Sequence, residues 1–133
     1  MGRDRVEALP IEVNRAGRAV RIELLYFDGC PGYAELRERL PRLLERASVD
    51  AEIVKHRIDS ERAARRERFL GSPTLRIDGS DVEADASDRQ DYGLKCRLYE
   101  TAHGLQRTPP DAWITVTIRA ALTSEHTHLT QET

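Results

Sequence analysis

The chain has 133 residues and a mass of 15.1 kDa, the size of one ordinary domain. Hydrophobic residues make up 39% and aromatics only 5%, which predicts a modest, mostly aliphatic core and argues against wholesale disorder. A net charge of −2, from 21 basic and 23 acidic side chains, lacks the basic surplus of a nucleic-acid protein.

The apolar runs fall far short of the roughly 20 residues a membrane-spanning helix needs. The first residues, Met1 to Arg5, have no apolar stretch of the signal-peptide kind. The expectation is a soluble cytoplasmic protein with neither nucleic-acid nor membrane partners. Two cysteines, Cys30 and Cys96, are too few for a disulfide scaffold. In a cytosolic chain such a pair points to reactive or metal-binding thiols, or to plain core residues.

Residues 1–19 are charged and irregular and read as an N-terminal extension, with Ile11-Glu12-Val13 as a possible edge strand. Val20 to Phe27 passes from alternation into a continuous apolar run, the pattern of a strand entering a buried sheet. Asp28-Gly29-Cys30-Pro31-Gly32 then breaks the chain sharply. From Tyr33 the period changes, and Leu36, Leu40, Leu43, Leu44 and Ala47 fall on one helical face. Pro41 lies inside that helix and predicts a kink, because it cannot donate to the Arg37 carbonyl.

Ala51 to Ile58 predicts a second strand. Asp59 or Ser60 is placed to cap a charged helix from Glu61 to about Leu70, ended by Gly71-Ser72-Pro73. Leu75 and Ile77 alternate, and Asp78-Gly79 predicts a hairpin turn into Val82 and Ala84. Residues 85–107 are polar and poorly periodic, although they hold Cys96. Thr108-Pro109-Pro110-Asp111 reads as a helix start, with Ile114, Ile118, Ala121 and Leu122 as its apolar stripe. The β-branched run from Ile114 to Ile118 suits a strand almost as well.

The predicted order is thus β-α-β-α-β-β-α, an α/β domain with a mixed sheet and helices on both faces. The domain spans residues 20–122, with a Cys96-bearing insertion at 85–107 and a flexible tail at 123–133.

Cys30 is the most informative residue. At a strand-to-helix junction its sulfur faces unpaired N–H groups and the positive end of the helix dipole, which both favour thiolate over thiol. The plain alternative is a buried cysteine beside a turn. Asp28, two residues earlier, is a candidate proton donor, or simply a polar turn residue.

The strand, then Phe27-Asp28-Gly29-Cys30-Pro31-Gly32-Tyr33, then a helix, with Gly71-Ser72-Pro73-Thr74 ahead of a hairpin, resembles the thioredoxin-like family. That resemblance implies a thioredoxin-like fold with Cys30 as the N-terminal active-site cysteine. It also implies Pro73 as a cis-proline whose loop faces the sulfur and contacts a thiol-bearing partner, with Ser72 and Tyr33 beside it in the partner site. Tyr33 stands where the usual C-x-x-C motif has its second cysteine, so exchange within that motif is excluded.

A closer resemblance is to short bacterial thioredoxin-like proteins often labelled alkylmercury lyase. They share the F-D-G-C-P stretch, the G-S-P-T turn and a downstream G-x-x-C-R-x-Y segment, here Gly93 to Tyr99. It implies two thiols acting on thiophilic compounds. Soft sulfur ligands select ions such as Hg(II), and Asp28 is the candidate acid that protonates the departing carbon. Cys96 equally suits a resolving cysteine that closes a disulfide on Cys30, or a structural residue. Either active role requires residues 85–107 to fold back over the Cys30 end of the sheet.

Other candidates are weaker. Arg97 is placed to act on Cys96 or an anion, and the tyrosines to line a thiol pocket or simply pack. His126-x-His128 has metal-binding spacing in the tail, and Arg62, Arg65, Arg66 and Arg68 read as the wet face of a short helix. No phosphate loop, dinucleotide fingerprint or hydrolase triad is present, and no cofactor is expected. The expected function is thiol chemistry at Cys30 with Cys96 as second thiol, through disulfide exchange or through binding and cleavage of organomercurials. The expected partner is accordingly a thiol-bearing protein or a small thiophilic compound. The alternative is a non-catalytic binding module with structural cysteines.

Overall fold

The computed structural model describes residues 20–132, with side chains described through Thr123. The Ile11-Glu12-Val13 segment and the side chains of His126 and His128 lie outside the described residues. The elements run β1 (Val20–Tyr26), α1 (Pro31–Arg46), β2 (Ala51–Arg57), α2 (Glu61–Arg66), β3 (Thr74–Ile77), β4 (Ser80–Asp81), β5 (Tyr99–Thr101), β6 (Gly104–Gln106) and α3 (Asp111–Glu132). One turn of 3-10 helix at Ala86–Asp88 follows β4.

The main sheet has the order β2-β1-β3-β4 and is mixed. β1 runs parallel to β2 and antiparallel to β3, and β3 pairs antiparallel with β4. Alternation in β1 sends Val20, Ile22 and Leu24 to one face and Leu25 to the other. Val20, Ile22 and Leu24 pack with Leu36, Leu40, Leu43 and Leu44 of α1 and Ile114 and Ile118 of α3. Leu25 packs with Ala63 and Ala64 of α2 and with Phe69. A strand covered on both faces must sit inside the sheet, whereas β2, with no fully buried residue, lies at an edge. Each fully buried leucine or isoleucine contributes roughly 1.5–3 kcal/mol of transfer free energy.

Several boundaries differ from the sequence reading. Helix α2 ends at Arg66 rather than near Leu70, because Arg68 turns into the left-handed region at φ 56°. The Phe69 amide then donates to the Ala64 carbonyl at 2.8 Å and the Arg68 amide to the Arg65 carbonyl at 3.2 Å. This closes the helix with a Schellman turn and drops Phe69 into the core. Helix α1 ends in the same way at Ser48, φ 56°, with Val49 N donating to the Leu44 carbonyl at 3.1 Å. Both turns use a non-glycine residue, so neither announces itself in the sequence.

Ala47 is the exposed C-cap of α1, not part of its buried stripe, and the helix spans Pro41 as one element. Helix α3 resolves the ambiguity at Ile114 to Ile118 in favour of helix, and it continues to Glu132 where the sequence reading places a tail. Ser60 is the cap of α2, accepting from Ala63 N at 3.0 Å. The hairpin turn is as expected, with Asp78 and Gly79 both at positive φ between Ile77 and Ser80.

The largest departure is residues 85–107. This stretch, aperiodic in sequence, contains a second two-stranded sheet, β5-β6, and carries Cys96 back to the body of the domain. No described helix is long and apolar enough to cross a membrane.

Candidate functional site

The site grows from the N-terminus of α1. Cys30 is the N-cap, with extended backbone at φ −84° and ψ 116°, and Pro31 occupies the first helical turn. Its sulfur accepts a hydrogen bond from the Tyr33 amide at 3.4 Å, taking the place usually held by a serine or aspartate oxygen. The same sulfur donates to the Ser72 carbonyl at 3.4 Å. The two contacts act in opposite senses. The sulfur accepts in the first and donates in the second.

Ser72 is the hub. Its hydroxyl accepts from Phe27 N at 3.3 Å, tying the turn to the end of β1, and the Ser72-Pro73 peptide bond is cis. Residues 95–97 lie alongside it in an isolated parallel bridge between Ser72 and Cys96. Ser72 N donates to the Lys95 carbonyl at 2.8 Å, and Arg97 N donates to the Ser72 carbonyl at 2.9 Å. One oxygen, that of Ser72, therefore receives both the Cys30 thiol and the amide following Cys96. The fold brings the two cysteine segments together, as an active role for Cys96 requires. Both thiols are free; Cys30 is buried, at 5% exposure, and Cys96 is exposed.

Two glycines make the approach possible. Gly71 sits at φ 124°, and a Cβ there would meet Arg97 Cβ at 2.9 Å and the Lys95 carbonyl at 3.0 Å. A Cβ on Gly32 would meet the Arg107 carbonyl at 2.7 Å and Pro73 Cδ at 3.0 Å. The chain leaving β6 thus crosses directly over the first turn of α1, next to Cys30.

What holds the Cys96 segment is Arg97, whose side chain has no exposure. Its guanidinium grips Asp81 in bidentate fashion, both contacts at 2.9 Å, and reaches Glu83 at 2.7 Å and the Thr74 hydroxyl at 3.0 Å. It also lies 4.5 Å above the Tyr99 ring. Burial works against its charge, but Tyr99 and the Asp81 and Glu83 carboxylates outweigh it and hold the guanidinium above arginine's ordinary range. Burial pushes the Tyr99 phenol well above its usual value, so it stays neutral and donates to the Pro73 carbonyl at 2.5 Å. Arg97, through its backbone amide, and Tyr99, through its hydroxyl, therefore hold the Ser72-Pro73 turn from the stretch just after Cys96.

The sequence reading weighed Arg97 only as a neighbour of Cys96 or an anion ligand. The signal for its partners was present in Asp81-Val82-Glu83, since alternation in an extended segment puts both carboxylates on one side.

The other expected site residues divide. Pro73 and Ser72 form the turn against which Cys30 rests, and Tyr33 is buried and stacked on Tyr26 with ring centroids 3.8 Å apart. Asp28 is largely in water, its carboxylate held by Arg57 of β2 at 2.7 Å. Arg62, Arg65, Arg66 and Arg68 are all exposed. A cleft of about 470 Å³ opens elsewhere, between Glu23 and Arg76 of the sheet, Arg68 and Arg89. Neither cysteine lines it, so we place the site at the thiols, where nucleophile, hydrogen-bond donor and acceptor converge.

Among the described residues no group of three or more His, Cys, Asp or Glu side chains is arranged to hold a metal ion. No family model matches the chain, and no curated protein matches it. The functional reading consequently rests on the residues themselves.

Proposed function

We propose that this chain is a thioredoxin-like two-thiol protein whose Cys30 and Cys96 carry out thiol–disulfide exchange. The observation that carries the reading is the Ser72 carbonyl, shared between the Cys30 sulfur and the Arg97 amide. The sheet order β2-β1-β3-β4, with α1 and α3 on one face and α2 on the other, supports the fold assignment.

In the exchange, one cysteine thiolate attacks a sulfur of the partner disulfide and releases the first partner thiolate. The second cysteine then attacks the mixed disulfide, releasing the other partner thiolate and closing a Cys30–Cys96 bond. Two protein thiols are oxidised, one partner disulfide is reduced, and the two protons leave with the two partner thiols. The partner is a molecule bearing an accessible disulfide.

The test is intact mass and non-reducing peptide mapping of the reduced protein after treatment with oxidised glutathione. The expected product is two hydrogens lighter and contains a Cys30–Cys96 cross-linked peptide. A protein that keeps both thiols, or only accumulates glutathione on each independently, returns the chain to the class of binding modules with structural cysteines.

The meeting of the two cysteine segments at Ser72, with no group of three or more metal-binding side chains among the described residues, favours one further reading, capture of a two-coordinate soft ion such as Hg(II). With an organomercurial, one thiol binds the metal and loses its proton to water. The second thiol gives its proton to the carbon as the C–Hg bond breaks. One equivalent of phenylmercury then leaves mercury without phenyl on the protein, whereas two independent thiols keep the phenyl group.

A further inference from the structure

The two thiols differ in access, and access fixes the order in which they react. Cys30 is 5% exposed and belongs to the main core cluster, with its sulfur committed to Tyr33 N and the Ser72 carbonyl. The chain at Arg107 passes over the same helix turn, close enough to Gly32 that a single added carbon would collide with it. Buried and hydrogen-bonded to both groups, the Cys30 sulfur presents little surface to a disulfide on another molecule. Cys96 is exposed and is bridged to the same turn through Ser72. Its backbone is fixed there by the Lys95 and Arg97 bonds to Ser72 and by the buried Arg97 clamp.

We infer that Cys96 is the thiol that meets the partner and that Cys30 is the resolving thiol. This rests on the two-thiol reading above and reverses the order implied by the family resemblance. Cys96 thiolate attacks the partner disulfide, one partner thiolate departs, and the mixed disulfide forms at the surface. Cys30 then attacks the Cys96 sulfur from inside, giving up its proton to the departing second partner thiol. The Ser72 carbonyl, which holds the Cys30 thiol proton at rest, loses that hydrogen bond as the internal disulfide closes. The disulfide so formed joins the exposed Cys96 to the buried Cys30, so a reductant meets it at the Cys96 sulfur, and reaches the Cys30 sulfur only on local opening.

The experiment uses the full chain and two single substitutions, Cys30→Ser and Cys96→Ser. With limiting iodoacetamide under native conditions, the carbamidomethyl group is expected on Cys96 first, by about tenfold or more over Cys30. With oxidised glutathione, Cys30→Ser is expected to accumulate a glutathione adduct on Cys96 at about the rate at which the native chain consumes the reagent. Cys96→Ser is expected to react about tenfold more slowly or less, with the difference abolished in denaturant. Faster labelling of Cys30, or a Cys96→Ser chain as reactive as the native one, overturns the order while leaving a two-thiol exchange intact. A native chain that stops at a Cys96–glutathione adduct overturns the exchange itself and with it the resolving role of Cys30.

Discussion

The two cysteine segments meet at the same carbonyl but are held there by different physics. Cys30 is placed by its own neighbours, at the point where a buried strand ends and a proline-started helix begins, with its nearest hydrogen bond only three residues away. Cys96 lies outside any helix or named strand, in an isolated bridge between the 3-10 turn and β5. It is held by contacts from residues 14 to 25 positions back, chiefly Asp81, Glu83 and Ser72 on the Arg97 and Lys95 segments. A locally built site survives the loss of distant charges, whereas a site built by long-range ion pairs does not. The two halves of this candidate site should therefore fail separately.

The largest effect is expected at Arg97. Arg97→Met removes the cation in bidentate contact with Asp81 and leaves that carboxylate, 14% exposed, without this partner. Breaking a buried pair from one side costs about 3–5 kcal/mol, read as a fall in the denaturant midpoint. In the population that remains folded, formation of the Cys30–Cys96 disulfide should slow, while labelling of the locally held Cys30 changes less. If Cys96 closes its disulfide at the native rate in this variant, the segment is held by something other than the clamp.

Gly71→Ala comes next. It imposes a side chain at φ 124° and drives a carbon to within 2.9 Å of Arg97 Cβ, so the 95–97 segment must shift. We expect a loss of about 1–3 kcal/mol. Hydrogen exchange should be faster at Ser72 N and Arg97 N, the two amides of the bridge, than at Tyr33 N. Equal loss of protection at all three would show that the two segments open as one unit.

The smallest effect is a pH dependence at the rim of the Cys96 segment. Hydrogen bonds from Arg89 and then Lys95 hold the Asp91 carboxyl well below its ordinary range, against a small opposing effect of burial. A carboxylate depressed in the folded chain stabilises it above the unfolded value, near 4, and loses that contribution as the pH falls through the lower folded value. Asp91 is about half exposed, so its share is small. The check is a carbonyl-carbon titration by NMR. Asp91 should remain ionised below pH 4 where exposed carboxylates have protonated, and Arg89→Gln should move its titration part of the way back toward the ordinary range, with Lys95 still in place. An ordinary midpoint in the native chain would show that the Arg89–Asp91–Lys95 group does not brace the segment in solution.

The sequence by itself determined the parts that depend on short-range pattern. Alternation and period placed β1, α1 and the β3–β4 hairpin, because a strand or helix with one apolar face has few ways to bury it. The Cys30 junction was legible for the same reason, being the change of period at Phe27 to Tyr33. The cap of α2 at Ser60 was legible as one of two adjacent candidates. Helix ends at Ser48 and Arg68 were not, since the left-handed turn there falls on serine and arginine and is enforced by the burial of Val49 and Phe69.

Tertiary structure alone decided where Cys96 lies and which thiol faces solvent. Arg97 reads as one arginine among many until the chain returns and sets its buried guanidinium against Asp81 and Glu83. The alternation of Asp81 and Glu83 puts them on one face, but their pairing bridges more than a dozen residues and so does not name its partner. Exposure is likewise a property of what packs on a residue, and the Cys30 sulfur lies against the Ser72 carbonyl, more than 40 positions away. Composition and spacing identify a thiol at a helix start; only the packing of the remote segment decides whether that thiol meets its partner first or second.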